Sequence, residues 1–345
     1  MLHAHESMSV PRLSAASTLR EVADHNAKWR SKVAQSEQGW ITEANIERSV
    51  FDYGMSRTPL AMRTRLIGNE GDSPLQHDMI SWLGLQTAAM APLEYLEIGV
   101  SVLKGVSTQL HAWRNATVTA FDVEDPNPTQ ASHWGEPEFV AQWPLSGPRN
   151  KDQYKKPSGV TVRPSEFLTN DSVRHWPATA ATRHNRVYYV ASDATDPTGW
   201  TRMAAVRAER GLRPFNLIFS DGLHTPGALV TEFRQFKRAG MLATPHEGPL
   251  TVIWDDCGYA LWQSVNKHVD EFARAIGRER LCFATFQIPG WTGTKDGSQT
   301  TCILSSLPRE VLEPVMLKEH LASHGRKAEN EGSGPKCRST PVPMA

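Results

Sequence analysis

The chain lacks a long apolar segment, an excess of charge of either sign and any Cys-x-x-Cys pair. No apolar run approaches the roughly 20 residues that a membrane-spanning helix requires, so we expect no membrane partner. Lys plus Arg and Asp plus Glu are equal at 37 each, so no overall field attracts nucleic acid. These absences argue against membrane proteins and against general nucleic-acid binders.

The first residues carry no secretory signal, because Met1–Ser7 has neither a basic nor an apolar region. We expect a cytoplasmic protein. An organellar presequence is the alternative, because Arg12, Arg20 and Arg30 precede the core. The acidic residues interspersed with these arginines count against it.

Cysteine is scarce, with four residues in 345. Without a Cys-x-x-Cys pair, the sequence offers no dithiol redox site and no zinc ribbon. Cys257, Cys282 and Cys302 fall in or beside predicted strands. We expect them to be buried, reduced thiols, as in a cytoplasmic protein.

What the chain does contain indicates a globular protein, with 39% hydrophobic and 21% charged residues. We predict a disordered tail over 1–17, an N-terminal helical extension over 18–90 and an α/β domain over 91–310. Within that domain, residues 125–185 are rich in Pro, Trp, Asn and Ser and show little periodicity. They are either a lid or substrate-binding insertion, or a surface loop. Residues 325–345 are polar and predicted to be disordered.

The extension contains two predicted helices. Apolar residues at helical spacing place the first over 18–33, with Ser17 as its N-cap. Ser73 followed by Pro74 is a start signal for the second. These helices offer a surface on which a homo-oligomer could form.

The α/β domain alternates short apolar runs with amphipathic segments, which predicts a doubly wound, mostly parallel sheet. The last two runs have no helical pattern between them, so we expect an antiparallel edge hairpin. Seven strands are predicted, over 95–100, 117–124, 186–192, 216–220, 250–254, 281–288 and 300–305.

Two of these strands end in carboxylates. Asp221 follows one of them, Asp255 and Asp256 follow the next, and His224 lies three residues after Asp221. Ligands bind beyond the carboxyl ends of parallel strands, so this pattern suggests a divalent-metal site with a base beside it. Simpler interpretations stay open. Asp221-Gly222 is also an ordinary turn, His224 could be a surface histidine, and consecutive aspartates on a regular strand face opposite sides.

The first strand ends in Glu97-Ile98-Gly99, and the second has an acidic end containing Asp122 and Glu124. Strand, turn, helix and acidic strand end form the pattern of a nucleotide-binding half-fold, in which a carboxylate binds ribose hydroxyls.

Taken together, these motifs resemble class I S-adenosylmethionine-dependent methyltransferases. The resemblance is strongest to metal-dependent O-methyltransferases that act on small molecules, such as the sugars of natural products, and it spans roughly residues 75–305. It implies a Rossmann-like, seven-stranded, mostly parallel sheet with helices on both faces and an antiparallel last strand. The implied cofactors are S-adenosylmethionine and Mg²⁺, and the implied partner is a small hydroxylated acceptor.

The resemblance also implies a role for each matching residue. Asp221 and His224 would be catalytic, with His224 as the base. The proposed magnesium ligands are Asp221, Asp255 and Asp256. The cofactor would contact Glu97, Gly99, Val100, Ser101, Asp122, Glu124, Asp193 and Asp221. One departure is that the family's second glycine is absent from its usual place, and the next glycine is Gly105.

Two other functions remain open at this stage. An NAD-dependent oxidoreductase could use the same scaffold, although the first turn lacks Gly-x-Gly-x-x-Gly and offers a poor pyrophosphate site. A catalytically silent binding module would also explain the altered glycine pattern.

Overall fold

A computed structural model describes residues 13–35, 74–100, 104–122, 134–135, 138–143, 171–192, 194, 197–222, 224–278, 280–289, 298–313 and 336–339. Within them the helices are α1 (Leu19–Gln35), α2 (Gln76–Ala88), α3 (Lys104–Ala112), α4 (Pro197–Glu209), α5 (Pro226–Arg238), α6 (Tyr259–Ala275) and α7 (Arg309–Leu312). The strands are β1 (Glu94–Ile98), β2 (Thr117–Asp122), β3 (Glu138–Trp143), β4 (Asp171–Trp176), β5 (Arg186–Ala191), β6 (Leu217–Ser220), β7 (Thr251–Trp254), β8 (Arg280–Pro289), β9 (Ser298–Ser305) and β10 (Lys336–Ser339).

All these strands belong to one sheet, in the order β10-β8-β9-β7-β6-β1-β2-β5-β4-β3. The five central strands, β5, β2, β1, β6 and β7, are parallel to one another. Strand β9 is antiparallel to both β7 and β8 and lies between them. The predicted Rossmann-like, mostly parallel sheet with an antiparallel strand near its end is confirmed.

The predicted number of seven strands is too low, because the described residues form ten. Strands β3 and β4 arise inside the predicted insertion and extend the sheet beyond β5 as an antiparallel ribbon. Strand β10 lies in the tail predicted to be disordered and pairs with β8. The β8–β9 hairpin is therefore not at the edge of this sheet. All three additional strands are peripheral, where pairing partners distant in sequence decide whether a strand forms.

The central strands are covered on both faces. Successive residues of β1 point to opposite sides, so Tyr95 joins one hydrophobic cluster and Leu96 the other. The Tyr95 cluster includes buried residues of α1, α2, α3 and α7. The Leu96 cluster includes buried residues of α4, α5 and α6. This arrangement is the doubly wound architecture, with the N-terminal extension contributing to one of the two layers.

The N-terminal helices are present, but their caps differ from the predictions. Thr18, not Ser17, caps α1: its hydroxyl accepts from the Glu21 amide at 3.2 Å, and the Glu21 carboxylate accepts from the Thr18 amide at 2.7 Å. Helix α2 begins at Gln76, where the Asp78 carboxylate accepts from the Leu75 amide at 2.9 Å. Ser73 lies outside the described residues.

A buried ion pair joins the two helices of the extension. Arg30 of α1 lies 2.8 Å from the Asp78 carboxylate of α2, and the Asn26 amide donates to the same carboxylate at 2.9 Å. Removing one partner of such a pair leaves a buried charge uncompensated, which is strongly destabilising. The two helices of the extension are therefore fastened to each other by more than apolar contact.

The cysteines are not the reduced thiols that we expected. Cys257 and Cys302 form a disulfide with a Cα–Cα distance of 5.4 Å, and Cys282 is also disulfide-bonded. The first bond is possible because Cys302 of β9 pairs in register with Trp254, three residues before Cys257. Disulfides persist mainly in oxidising compartments, so a cytoplasmic location stays a prediction. None of the helices among the described residues combines the length and apolar character needed to cross a bilayer.

We expect peptide mapping without reductant to recover Cys257 and Cys302 as one cross-linked pair. The bond closes a loop with a sequence separation of 45 residues. Cys302→Ala should therefore lower the free energy of unfolding by about 2–4 kcal/mol. Two free, alkylated thiols in the unreduced protein would contradict the assignment.

Candidate active site

The site lies where the order of the parallel strands reverses. Strands β2 and β5 extend the sheet to one side of β1, and β6 and β7 extend it to the other. The ends of these strands are level, because Ile98 pairs with both Phe121 and Ser220, and Ser220 pairs with Trp254. The residues that follow these strands therefore emerge together at one edge of the sheet. Open α/β sheets bind their ligands at this kind of switch point.

Gly99 brings the turn after β1 against the turn after β6. Its φ of 76° is one that side chains disfavour, and a Cβ there would lie 2.3 Å from the carbonyl oxygen of Asp221. The Asp221 amide donates to the Ile98 carbonyl at 2.8 Å, and the Gly99 amide donates to the Phe121 carbonyl at 2.9 Å. This glycine therefore fixes the distance between the two turns.

Glu97 is a buried carboxylic acid beneath the same turn. The Tyr95 hydroxyl donates to its Oε2 at 2.8 Å. Burial, together with repulsion from Asp221 and Asp122, raises the pKa of Glu97 to about 8. A Cβ on Gly105 would lie 2.1 Å from Glu97 Oε1, so that glycine makes room for this carboxyl group. The unusual glycine spacing thus has a packing reason.

Four of the predicted residues lie together next to Gly99: Asp221, His224, Asp255 and Asp256. His224 Nε2 lies 3.1 Å from Asp221 Oδ1, and His224 Nδ1 lies 2.9 Å from Asp256 Oδ2. Contact with the carboxylates of Asp221 and Asp256 raises the pKa of His224 to about 10. The imidazole is therefore protonated at neutral pH and holds two carboxylates together. In this state it cannot accept a proton.

Asp255 and Asp256 reach the same site although they are consecutive. The backbone of Asp256 is left-handed, with a φ of 46°, so the extended strand geometry has already ended there. Asp256 is exposed and contacts His224, whereas Asp255 is buried and accepts from the Gln76 side-chain amide at 2.7 Å. Burial first, and then repulsion from Asp221, raises the pKa of Asp255 to about 8.

The donor types suit Mg²⁺, which prefers carboxylate oxygens. Two of the three carboxylates, Asp221 and Asp256, contact His224 instead. Among the residues that the structure describes, no three His, Cys, Asp or Glu side chains are grouped so that they could hold a metal ion. Burial raises the pKa values of Asp221 and Asp255, and repulsion between the neighbouring carboxylates adds to the rise.

The remaining predicted cofactor residues divide into two groups. Asp122 is buried at the end of β2, and Val100 is buried directly after Gly99. The other three, Ser101, Glu124 and Asp193, lie outside the described residues. Asp122 therefore remains the described candidate for the ribose hydroxyls.

The sequence analysis missed two residues of this site. Gln76 contacts Asp255 from 179 residues away, and no local pattern signals such a contact. Glu232 is fully enclosed on α5 and accepts from the Ser220 hydroxyl at 3.0 Å. A signal for Glu232 existed, because it lies among the apolar residues Leu229, Val230 and Phe233 on the buried face of its helix.

No family model matches the chain, and no curated protein matches it. Among solved structures, it is similar to the O-methyltransferase TomG from Streptomyces achromogenes in complex with SAM, at 11% identity and a TM-score of 0.37, covering 78% of this chain and 89% of that one. It is also similar to an O-methyltransferase from Bacillus cereus in complex with SAH, at 12% identity and a TM-score of 0.35, covering 75% and 96%. A third is the precorrin-6y C5,15-methyltransferase from Geobacter metallireducens, at 13% identity and a TM-score of 0.32, covering 67% and 89%. The names agree with the sequence resemblance, but likenesses this weak carry no argument about function.

Glu232 provides a test of the electrostatics at this edge. Burial raises its pKa from 4.5 to about 7. The unfolded chain therefore loses this proton at lower pH than the folded protein, and stability falls as pH rises from 4.5 through 7. As pH rises from 4 to 9, the wild type should lose about 3 kcal/mol of unfolding free energy that Glu232→Gln retains.

Urea unfolding at several pH values measures this difference. Glu209→Gln, at an exposed position near the end of α4, controls for the amide substitution itself. Parallel pH profiles for the wild type and Glu232→Gln would show that Glu232 is not a buried acid.

Proposed function

We propose that this protein is a class I S-adenosylmethionine-dependent methyltransferase that methylates a hydroxyl group of a small, sugar-like or natural-product acceptor. One observation carries the proposal. Gly99 brings the turn after β1, which resembles a nucleotide-binding turn, into backbone contact with Asp221. Asp221 belongs to the cluster that it forms with His224 and Asp256. A methyl donor held by the turn after β1 would therefore lie beside an acceptor hydroxyl activated by this cluster.

On the donor side, the chain offers the groups that a sulfonium nucleoside requires. The Asp122 carboxylate lies at the end of β2, where a carboxylate of a nucleotide-binding fold binds ribose hydroxyls, and we assign it that role. Gly99 lies at the switch point, and α3 begins at Lys104. Glu97 supports this turn from beneath as a mostly neutral acid at pH 7.

Methyl transfer requires an activated oxygen. The acceptor oxygen attacks the methyl carbon, the carbon–sulfur bond breaks, and its electron pair remains on sulfur, which yields S-adenosylhomocysteine. The hydroxyl proton must go to a base. His224 can take this proton only when its own pKa is near neutral, and that requires another cation to neutralise Asp221 and Asp256.

We further propose that Asp221, Asp255 and Asp256 would hold Mg²⁺ in the working enzyme, which would replace the contacts of Asp221 and Asp256 with His224. Bound there, Mg²⁺ would lower the pKa of an oxygen that it coordinates. His224, no longer paired with those two carboxylates, would then be able to act as the general base, a role typically worth about 10²–10⁴-fold in rate. The surplus of carboxylates at this edge supports the assignment.

The donor half is tested by calorimetry. We expect S-adenosylmethionine to bind one site per chain and NAD not to bind. Asp122→Ala should weaken S-adenosylmethionine binding by about tenfold, the typical loss of a hydrogen bond to a charged group. Asp270→Ala, on the far side of α6 from the strand ends, is the matched control. Binding of NAD in preference to S-adenosylmethionine would favour the oxidoreductase.

The metal half is tested by NMR titration of the His224 ring. Without metal its pKa should be about 10, as its two carboxylate contacts imply. Saturating Mg²⁺ should bring that pKa close to the ordinary value of about 6.5. Asp256→Asn should also lower it in the absence of metal.

If Mg²⁺ left the pKa of His224 unchanged, the proposed role of the metal would be wrong. If, in addition, His224→Ala turned over an acceptor at the wild-type rate, the imidazole would not be the base. The cluster would then be structural, and another group would have to accept the hydroxyl proton.

A further inference from the structure

A second cavity lies at the opposite edge of the sheet from the candidate active site. Its volume is about 990 Å³, and its lining includes Leu93, Arg114 and Arg183. Leu93 directly precedes β1, and Arg114 and Arg183 lie three residues before β2 and β5, so all three lie at the amino ends of parallel strands. The five residues of β1 separate the two edges by about 16 Å. This cavity is therefore distinct from the site at the carboxyl ends.

The charged lining of the cavity is of one sign. Arg114 and Arg183 face the same space, and the lining that the described residues form includes no Asp or Glu. Arg183 Nε is buried without a hydrogen-bond partner. Burial first, and then repulsion from Arg114, lowers the pKa of Arg183. Two cations that line one cavity repel each other, and an anion bound between them would relieve that repulsion.

The two arginines are held by a common anchor. The buried Asn185 side chain donates to the carbonyls of Leu110 and Trp113, at 3.2 Å and 3.0 Å, and to that of Thr182 at 3.1 Å. It also accepts from the Ala116 amide at 2.9 Å. Asn185 thus fastens the turn that carries Arg114 to the turn that carries Arg183. The cationic pair is positioned by the fold before any ligand arrives.

Apart from Ser14 and Asn115, the rest of the lining is apolar or aromatic in character. Leu85, Met90 and Leu93 contribute apolar surface, and Met90 is 59% exposed. His25 and His111 line the cavity as stacked rings with centroids 4.5 Å apart. An ion alone would leave this apolar surface unused.

We propose that this cavity is a second ligand site, which takes a small amphipathic anion: a phosphate or carboxylate group bound by Arg114 and Arg183, with a short apolar body packed on Leu85, Met90 and Leu93. Bidentate binding of such a group by arginine matches the geometry of the guanidinium donors. The site lies outside the proposed methyl-transfer chemistry and does not depend on it.

Calorimetry with hexyl phosphate, inorganic phosphate and hexanol tests the proposal. We expect hexyl phosphate to bind one site per chain, about tenfold or more tighter than either of the other two, because it uses both parts of the lining. The double variant Arg114→Gln, Arg183→Gln should lose at least about tenfold in affinity. Arg238→Gln, an exposed arginine at the end of α5, is the matched control.

Met90→Asp provides a second variant that should not disturb folding, because the side chain is largely exposed. Its carboxylate would pair with the cations and repel the ligand, so hexyl phosphate should no longer bind, while S-adenosylmethionine binding is unchanged. Sedimentation of the same samples reports on association. If the wild type were a dimer and Met90→Asp a monomer, the cavity would be a subunit interface and the proposal would be wrong.

Three further results would overturn it. Equal affinity for hexyl phosphate and inorganic phosphate would show that the apolar residues do not contribute to binding. Equal affinity of the double variant and the wild type for hexyl phosphate would show that the arginines do not bind the anion. If hexyl phosphate did not bind the wild type, there would be no such site.

Discussion

The structure depends most on one backbone contact, between Gly99 and the carbonyl of Asp221. Strands β1 and β6 end level with each other, so the turns that leave them must share a narrow space. Only a residue without a side chain fits there. Because Glu97 precedes one turn and His224 follows the other, this contact joins the part that resembles a nucleotide site to the part that carries acid–base groups. The two halves of the proposed reaction therefore share one junction.

Around this junction the protein concentrates buried acids. Burial raises the pKa values of Glu97, Glu232 and Asp255, and the His224 imidazolium pairs with the neighbouring carboxylates of Asp221 and Asp256. Such a cluster opposes stability, since each buried acid favours the unfolded chain at neutral pH. The folded state tolerates it because two apolar clusters cover both faces of the sheet. Perturbed acids at a strand-end crevice are typical of functional sites.

The sequence was sufficient for the central sheet and for part of the site. Runs such as Leu217–Ser220 are buried on both faces, so their apolar character is local and readable. It was insufficient for β3, β4 and β10, whose pairing depends on distant strands. The sequence identified His224 but not its charge. That charge depends on the distances from the imidazole ring to the Asp221 and Asp256 carboxylates, which cannot be inferred from the spacing of the residues in the sequence. The left-handed backbone of Asp256, which brings consecutive carboxylates to one place, was likewise unreadable.

The hydrogen bond from Gln76 to Asp255 has a consequence for how this chain could diversify. Helix α2 belongs to the N-terminal extension, yet its Gln76 side chain donates to a carboxylate that follows β7. This hydrogen bond lowers the pKa of Asp255 against the larger effect of burial, so the extension sets part of the acidity of that group. Replacing the extension would therefore change the protonation of the candidate active site even if every residue of the α/β domain stayed the same.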